Sequence, residues 1–155
     1  RTVVSRIDIQ HAREILFLRL STEIEIAKVL VQIIDDGGIA RLMAWIDRLE
    51  TELWAGDQNS FRSADNRFHE EMYALAAVPG LIQVLRARRS HHDRIRGLFL
   101  RQADRRPGVI DEHRAIVDAL KNRDAAAAEQ ATRLHLGKSL AIIDEIREQY
   151  PDYFF

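Results

Sequence analysis

Asp65 and His69 stand four residues apart, one helical turn, in a run that also carries Ala64, Phe68, Met72 and Leu75 on or beside the same face. A carboxylate and an imidazole therefore point toward the apolar side of a helix. A buried charge is costly unless it is paired or bound to a metal. Taken alone, the pair is most simply a buried Asp–His hydrogen bond. Two further histidines change that weighing. His113 and His135 each fall inside the apolar stripe of a later helix. One inward histidine is usually a satisfied core residue, but three together with an aspartate are hard to treat as independent accidents. Imidazole nitrogens and a carboxylate oxygen suit a divalent transition metal, zinc first, with nickel, iron or manganese as alternatives. The expected ligands are Asp65, His69, His113 and His135.

Other chemistries lack their residues. His69 is followed by Glu70, but position 73 is Tyr, so there is no HExxH helix. No histidine has Glu three residues before it, which removes the paired ExxH of di-iron bundles. There is no glycine-rich phosphate loop and no cysteine, hence no disulfide or thiolate chemistry. No serine has the setting of a nucleophile. A metal-dependent hydrolase also wants a general base near the metal. Glu70 and Glu112 neighbour ligands in sequence but are expected to point elsewhere on their helices.

The elements that must position the four residues are all helical, since no run alternates in the manner of a strand. Residues 1–7 read as a lead-in or linker. Asp8 caps a first helix over residues 9–20, and Ser21-Thr22 restarts the chain, with Thr22 and Glu25 spaced as a capping box. A second helix runs to about residue 34 and is ended by Asp35-Asp36-Gly37-Gly38. A third covers residues 39–55, with Leu42, Ile46, Leu49 and Leu53 as its stripe. Ser60 is the expected cap of the fourth, which carries Asp65 and His69. Pro79-Gly80 leads into a long fifth helix over residues 81–102, densely basic from Arg86 to Arg96. The plain reading of that run is a solvated face, although one arginine could turn inward to meet an anion. A sixth helix over residues 109–122 holds His113. Asp124 caps the last, which opens on four alanines, holds His135 and stops before Pro151. The expectation is an all-α fold, an antiparallel helical bundle of six or seven helices.

The chain is long enough for one domain with a sizeable core, and 46% hydrophobic with 30% charged residues is the balance of a soluble globular protein. With 23 basic and 24 acidic residues its net charge is −1, which gives no bulk attraction to nucleic acid or an acidic membrane. No run reaches transmembrane length and no signal peptide is evident, so a cytoplasmic location is expected.

Three blocks carry a resemblance. They are Asp65-Asn66-Arg67-Phe68-His69, the segment from Glu112-His113-Arg114 to Leu120, and the segment from Asp124 to His135. Ala77-Val78-Pro79-Gly80-Leu81 adds a turn of the same type, with Val78 where Asn is common. The chain resembles the C-terminal ligand-binding domain, called FCD, of the FadR branch of GntR-type bacterial transcription regulators. The resemblance covers nearly all of it. It maps the family's metal ligands onto Asp65, His69, His113 and His135. It matches Arg13 to an arginine often found in the first helix, while Phe17 stands near a position that is often Glu. The resemblance implies one effector- and metal-binding sensor domain over residues 1–155, a small organic acid as effector with Arg13 meeting its charge, and no enzymatic activity. It also implies a homodimer, and DNA binding only through a winged helix-turn-helix domain outside this chain. The alternatives kept beside it are a metal-dependent enzyme and a dimerisation domain with a structural metal.

Overall fold

The structure, a computed structural model, describes residues 5–155, apart from the side chains of Ala103, Ser139 and Leu140. Residues 1–4 of the expected lead-in lie outside that range. Eight α-helices are present among the described residues: α1 (Ile9–Ile33), α2 (Asp36–Ala55), α3 (Gln58–Leu75), α4 (Gly80–Arg86), α5 (Ser90–Phe99), α6 (Arg106–Lys121), α7 (Ala125–Ala141) and α8 (Ile143–Gln149). Short 3₁₀ turns occupy Ala103–Arg105 and Pro151–Tyr153. No strand is formed among the described residues; one isolated parallel bridge joins Ile7 to Phe154 and ties the two ends together. The expected all-α helical bundle is borne out.

The number of helices departs from six or seven for local reasons. The expected break at Ser21-Thr22 does not occur. Ser21 Oγ donates to the Phe17 carbonyl at 2.9 Å and Thr22 Oγ1 to the Leu18 carbonyl at 2.7 Å. Both hydroxyls thus bond back one turn instead of capping a new helix, and α1 runs straight through them. The expected fifth helix is two, because the chain turns at Ala87-Arg88-Arg89 between α4 and α5. The expected last helix also splits, at Ile142.

Four of the helices, α1, α2, α3 and α7, start after a capping aspartate. Asp8 Oδ1 accepts from the His11 amide at 3.0 Å and Asp124 Oδ1 from the Ala127 amide at 2.9 Å, as expected. The cap of α3 is Asp57, which accepts from the Asn59 and Ser60 amides, rather than Ser60 itself. Asp35 Oδ1 accepts from the Gly38 amide at 2.7 Å, so the two glycines lie in the first turn of α2 and do not merely terminate α1. Gly38 is needed there for contact: a Cβ would sit 2.8 Å from Ile34 Cγ1 and 3.1 Å from Leu75 Cδ2.

Two helix pairs fold back on each other through short connections, α2 on α3 and α6 on α7, while α1 lies against α7, α5 and α3. The core between them is built from Leu30, Leu42, Ile46, Leu49, Phe61, Phe68, Ile116 and Leu120, all fully buried. Burying side chains of this size contributes about 1.5–3 kcal/mol each. This packing leaves α1, α3, α6 and α7 with polar side chains turned toward one another inside the bundle.

Candidate metal centre

Asp65 and His69 lie on α3, His113 on α6 and His135 on α7. Each offers one ligand atom, and the four atoms lie within 4.8 Å of one another. His113 Nε2 is 3.2 Å from Asp65 Oδ1, His69 Nε2 is 3.8 Å from the same oxygen, and His69 Nε2 is 3.1 Å from His135 Nε2. Metal–ligand bonds of about 2.0–2.1 Å in tetrahedral array place donors roughly 3.3 Å apart. Two of these separations match that spacing and the third is about half an ångström longer, close to what a single ion needs. Asp65 and His113 are fully buried and His69 is 5% exposed, so bulk water does not solvate these atoms.

Around the cluster, every histidine has its other ring nitrogen against an acceptor. His113 Nδ1 lies 2.7 Å from the Val109 carbonyl one turn earlier, and His135 Nδ1 lies 2.9 Å from Glu112 Oε2. His69 Nδ1 lies 2.7 Å from Glu23 Oε2 on α1. A carbonyl or carboxylate oxygen can only accept, so Nδ1 of His113 and of His135 carries the proton and Nε2 of each presents a lone pair, while His69 Nδ1 stands at ion-pair distance from Glu23 without hydrogen-bond geometry. The lone pairs of His113 and His135 and Asp65 Oδ1 then face one another, with His69 Nε2 beside them. His113 Nε2 and Asp65 Oδ1 have no hydrogen-bond partner among the described residues. A cation at the centre would satisfy all four.

The electrostatics agree. Burial, with His69 beside it, pushes the His113 imidazole down to about 3. Burial, with His113 and His69 beside it, holds His135 well below its ordinary value. Both are neutral near pH 7, as metal ligation requires. Burial acts to raise the Glu23 carboxyl, but Arg19 and His69 outweigh it and hold the group below the usual carboxylate range. Arg19 Nε bonds Glu23 Oε1 at 2.7 Å. Burial raises the Glu112 carboxyl, against the opposing pull of Lys138. Lys138 Nζ donates to Glu112 Oε1, and Arg96 forms an ion pair with Asp65 Oδ2. A cavity of about 30 Å³, room for a water or two, opens beside the cluster between Arg19, Asp65, Arg96, Glu112, His135 and Lys138.

The four sequence-predicted metal residues are thus brought together; Arg13 is not with them. Arg13 is exposed, because the inward stripe of the continuous α1 runs through Ala12, Leu16, Arg19 and Glu23 and leaves it on the outer side. Arg19 is the α1 arginine beside the cluster. Arg96 is the inward arginine of the basic run. Glu112, expected to point away, instead reaches across from α6 to His135. Glu70 does point elsewhere, to Arg86 at 3.0 Å and Arg67 at 3.2 Å. Glu23 escaped the sequence reading because the supposed break at Ser21-Thr22 detached it from the Arg19 it pairs with four residues earlier. His11, His91 and His92 are outside the cluster. His11 Nε2 lies 2.9 Å from the Arg88 carbonyl, His91 Nδ1 accepts from the Asp8 amide at 3.0 Å, and His92 is buried on α5.

A helical bundle with an inward carboxylate and three histidines defines a class, and comparison with known proteins gives the family. The FCD domain profile matches residues 14–138, and the chain belongs to that family. It is 27% identical over 151 residues to an uncharacterised HTH-type transcriptional regulator in an unstable DNA locus of Streptomyces ambofaciens; the match takes in 97% of this chain and 63% of that protein. The chain thus spans less than two thirds of that relative's length. Among solved structures, E. coli McbR/YncC superposes with a TM-score of 0.79 at 16% identity, over 92% of this chain and 72% of that one. Streptococcus agalactiae GntR gives 0.67 at 22% identity, over 84% and 58%. At these identities the two structures share the fold. No helix among the described residues is long and apolar enough to cross a membrane.

Proposed function

We propose that this chain is the sensor domain of a transcription regulator, and that it reads a small organic acid through a divalent metal held by Asp65, His69, His113 and His135. The observation that carries the reading is the fixed direction of the three imidazoles. Val109 and Glu112 hold the Nδ1 protons of His113 and His135 outward, Glu23 lies 2.7 Å from His69 Nδ1, and the Nε2 atoms of His113 and His69 approach Asp65 Oδ1. Zinc suits one carboxylate and three nitrogens best, with nickel, iron or manganese as alternatives. When bound, the ion supplies a Lewis-acid position for an oxygen ligand.

The charges around the cavity favour an anion as that ligand. Arg19, Arg96 and Lys138 are matched by Glu23, Asp65 and Glu112 respectively, and Asp93, 3.9 Å from Arg96, is itself matched by Arg89 at 2.8 Å. The protein groups therefore balance, and a divalent ion adds two uncompensated positive charges. A dicarboxylate would neutralise them, with Arg19 and Lys138 at hand for the end that does not touch the metal. Family membership and the Streptomyces relative support transcription regulation. In this reading the domain acts on DNA through a winged helix-turn-helix domain, as a homodimer on paired half-sites. Effector binding favours one arrangement of the bundle and so alters operator affinity.

The test is a crystal structure with anomalous data across the zinc and nickel edges, after metal repletion. One peak bonded to the four named atoms, with an open position toward Arg19 and Lys138, is the expected result. A peak on His91 or His92, or an empty cluster with Asp65 accepting a proton from His69, would overturn the assignment. A metal with no position open to the cavity would make it structural.

A further inference from the structure

A second polar concavity lies on another side of α5. Arg94 lies on α5 and Arg101 in the turn just after it, whereas Arg96 turns the other way to Asp65. Arg62 on α3 joins them, and the three arginines line a pocket of about 310 Å³ with Gln58, Asn59 and Tyr153. Among the described residues no carboxylate lines it, and it shares none of them with the cavity at the metal centre. Arg62 and Arg101 make no ion pair among the described residues. Among the described residues Arg94 donates only to the carbonyl of Ser5. Three cations around one concavity repel one another unless an anion sits among them.

Gly97 supports the reading of a made site. A Cβ there would lie 3.1 Å from Arg62 Nη1. Glycine inside a helix weakens it, and here it gives the Arg62 guanidinium room to lie across α5. Guanidinium forks suit both carboxylate and phosphate, but three of them exceed what one carboxylate edge can engage. A tetrahedral dianion offers an edge or a corner to each. We propose that Arg62, Arg94 and Arg101 form a second, metal-independent site for a small phosphate-bearing dianion.

The position gives such a ligand leverage. Ile7 and Tyr153 line the same pocket, and the Ile7 amide donates to the Tyr153 carbonyl at 2.6 Å. Arg94 is shared between the pocket and Ser5, so occupancy bears directly on how the chain leading into α1 is held.

The test is calorimetric titration of the 155-residue chain with inorganic phosphate at constant ionic strength, with chelator present and acetate as the comparison. Phosphate is expected to bind saturably, one per chain, and at least about tenfold tighter than acetate. The Arg62→Gln, Arg101→Gln double variant is expected to lose about tenfold or more in affinity. The single Arg101→Gln variant, at an exposed position, is expected to weaken binding several-fold, and it decides the matter if the double variant fails to fold by circular dichroism. Phosphate no tighter than acetate, or phosphate affinity unchanged in the folded variants, would overturn the proposal. So would a random DNA duplex binding through these arginines more tightly than phosphate, which would make the surface a nucleic-acid contact. Because chelator is present throughout, none of these outcomes bears on the metal centre.

Discussion

At the scale of single residues, the carboxylates that orient the imidazoles are the most informative targets. Glu23 and Glu112 touch no proposed metal-binding atom, yet Glu112 fixes the His135 proton at Nδ1 and the Glu23 carboxylate stands 2.7 Å from His69 Nδ1. Replacing either by Gln keeps the volume and removes the charge. Metal affinity, measured by competition with a coloured chelator, is expected to fall about 10–100-fold in each variant while helix content is unchanged. An unaltered affinity in both would mean that the imidazoles are held by packing alone. Asp65→Ala is expected to cost more affinity than His113→Ala or His135→Ala. It removes the one anionic ligand and leaves Arg96 with only the more distant Asp93 as an ion-pair partner among the described residues. Protonation supplies a further check on the metal-free domain. Burial holds His113 and His92 below their ordinary value of 6.5. Below about pH 6.5 the unfolded chain therefore binds protons that the folded chain does not, and stability falls as the pH drops. Each such group contributes a slope of up to about 1.4 kcal/mol per pH unit. For His113 the loss continues down to about pH 3. Urea midpoints in chelator at pH 5 and pH 7.5 should differ in that direction, and His92→Gln should reduce the difference.

At the scale of helices, α1 is the element on which the site depends, and its far end is held by an unusual residue. Arg123, just past α6, has φ 58, in the left-handed region where side chains are crowded. Its guanidinium donates to the Val31 carbonyl at 2.7 Å and to the Ile34 carbonyl, at the end of α1. A cation there meets carbonyls that the helix leaves unpaired. Arg123→Ala keeps the strained backbone and loses those bonds, so urea unfolding should show a loss of about 1–2 kcal/mol. Arg123→Gly relieves the strain and should lose about 1 kcal/mol less. Equal losses would mean that the backbone conformation is not costly. The same helix shows what the sequence could reveal. Asp65, His69, His113 and His135 were legible because each falls on the apolar stripe of a helix whose phase is set by its own neighbours. The Arg19–Glu23 pair was not, because a Ser-Thr pair reads as a start when its hydroxyls are assumed to cap, and as a continuation when they bond back one turn. Glu112 was missed for another reason. Its partner lies on a different helix, and the helix-to-helix contact that brings His135 over it is not written in the spacing along either one.

At the scale of the whole molecule, the proposed metal would link α3, α6 and α7 directly, and α1 through Glu23. The folded chain presents the four ligands together, while the unfolded chain scatters them over residues 65 to 135. An ion that binds only the folded form stabilises it by about 2.7 kcal/mol when free metal is a hundred times Kd. Chelation should therefore lower Tm by several degrees in one cooperative step, since helices on both sides of the core lose the same ligand. An organic acid adds to this only if the metal is the place it binds. The charge balance around the cavity turns that into an order of effects. In the metal-loaded chain a four-carbon dicarboxylate should raise Tm more than acetate at equal concentration, because it neutralises both charges that the ion brings. In the chelated chain, where Arg19, Arg96 and Lys138 are already matched by Glu23, Asp65 and Glu112, neither acid should have a measurable effect. Lys138→Ala leaves every proposed metal ligand in place and frees Glu112 from its ammonium partner. It should leave the metal-dependent rise in Tm largely intact while reducing the extra rise from the dicarboxylate. A dicarboxylate that stabilised the chelated chain as strongly as the loaded one would place the acid elsewhere and separate effector binding from the metal.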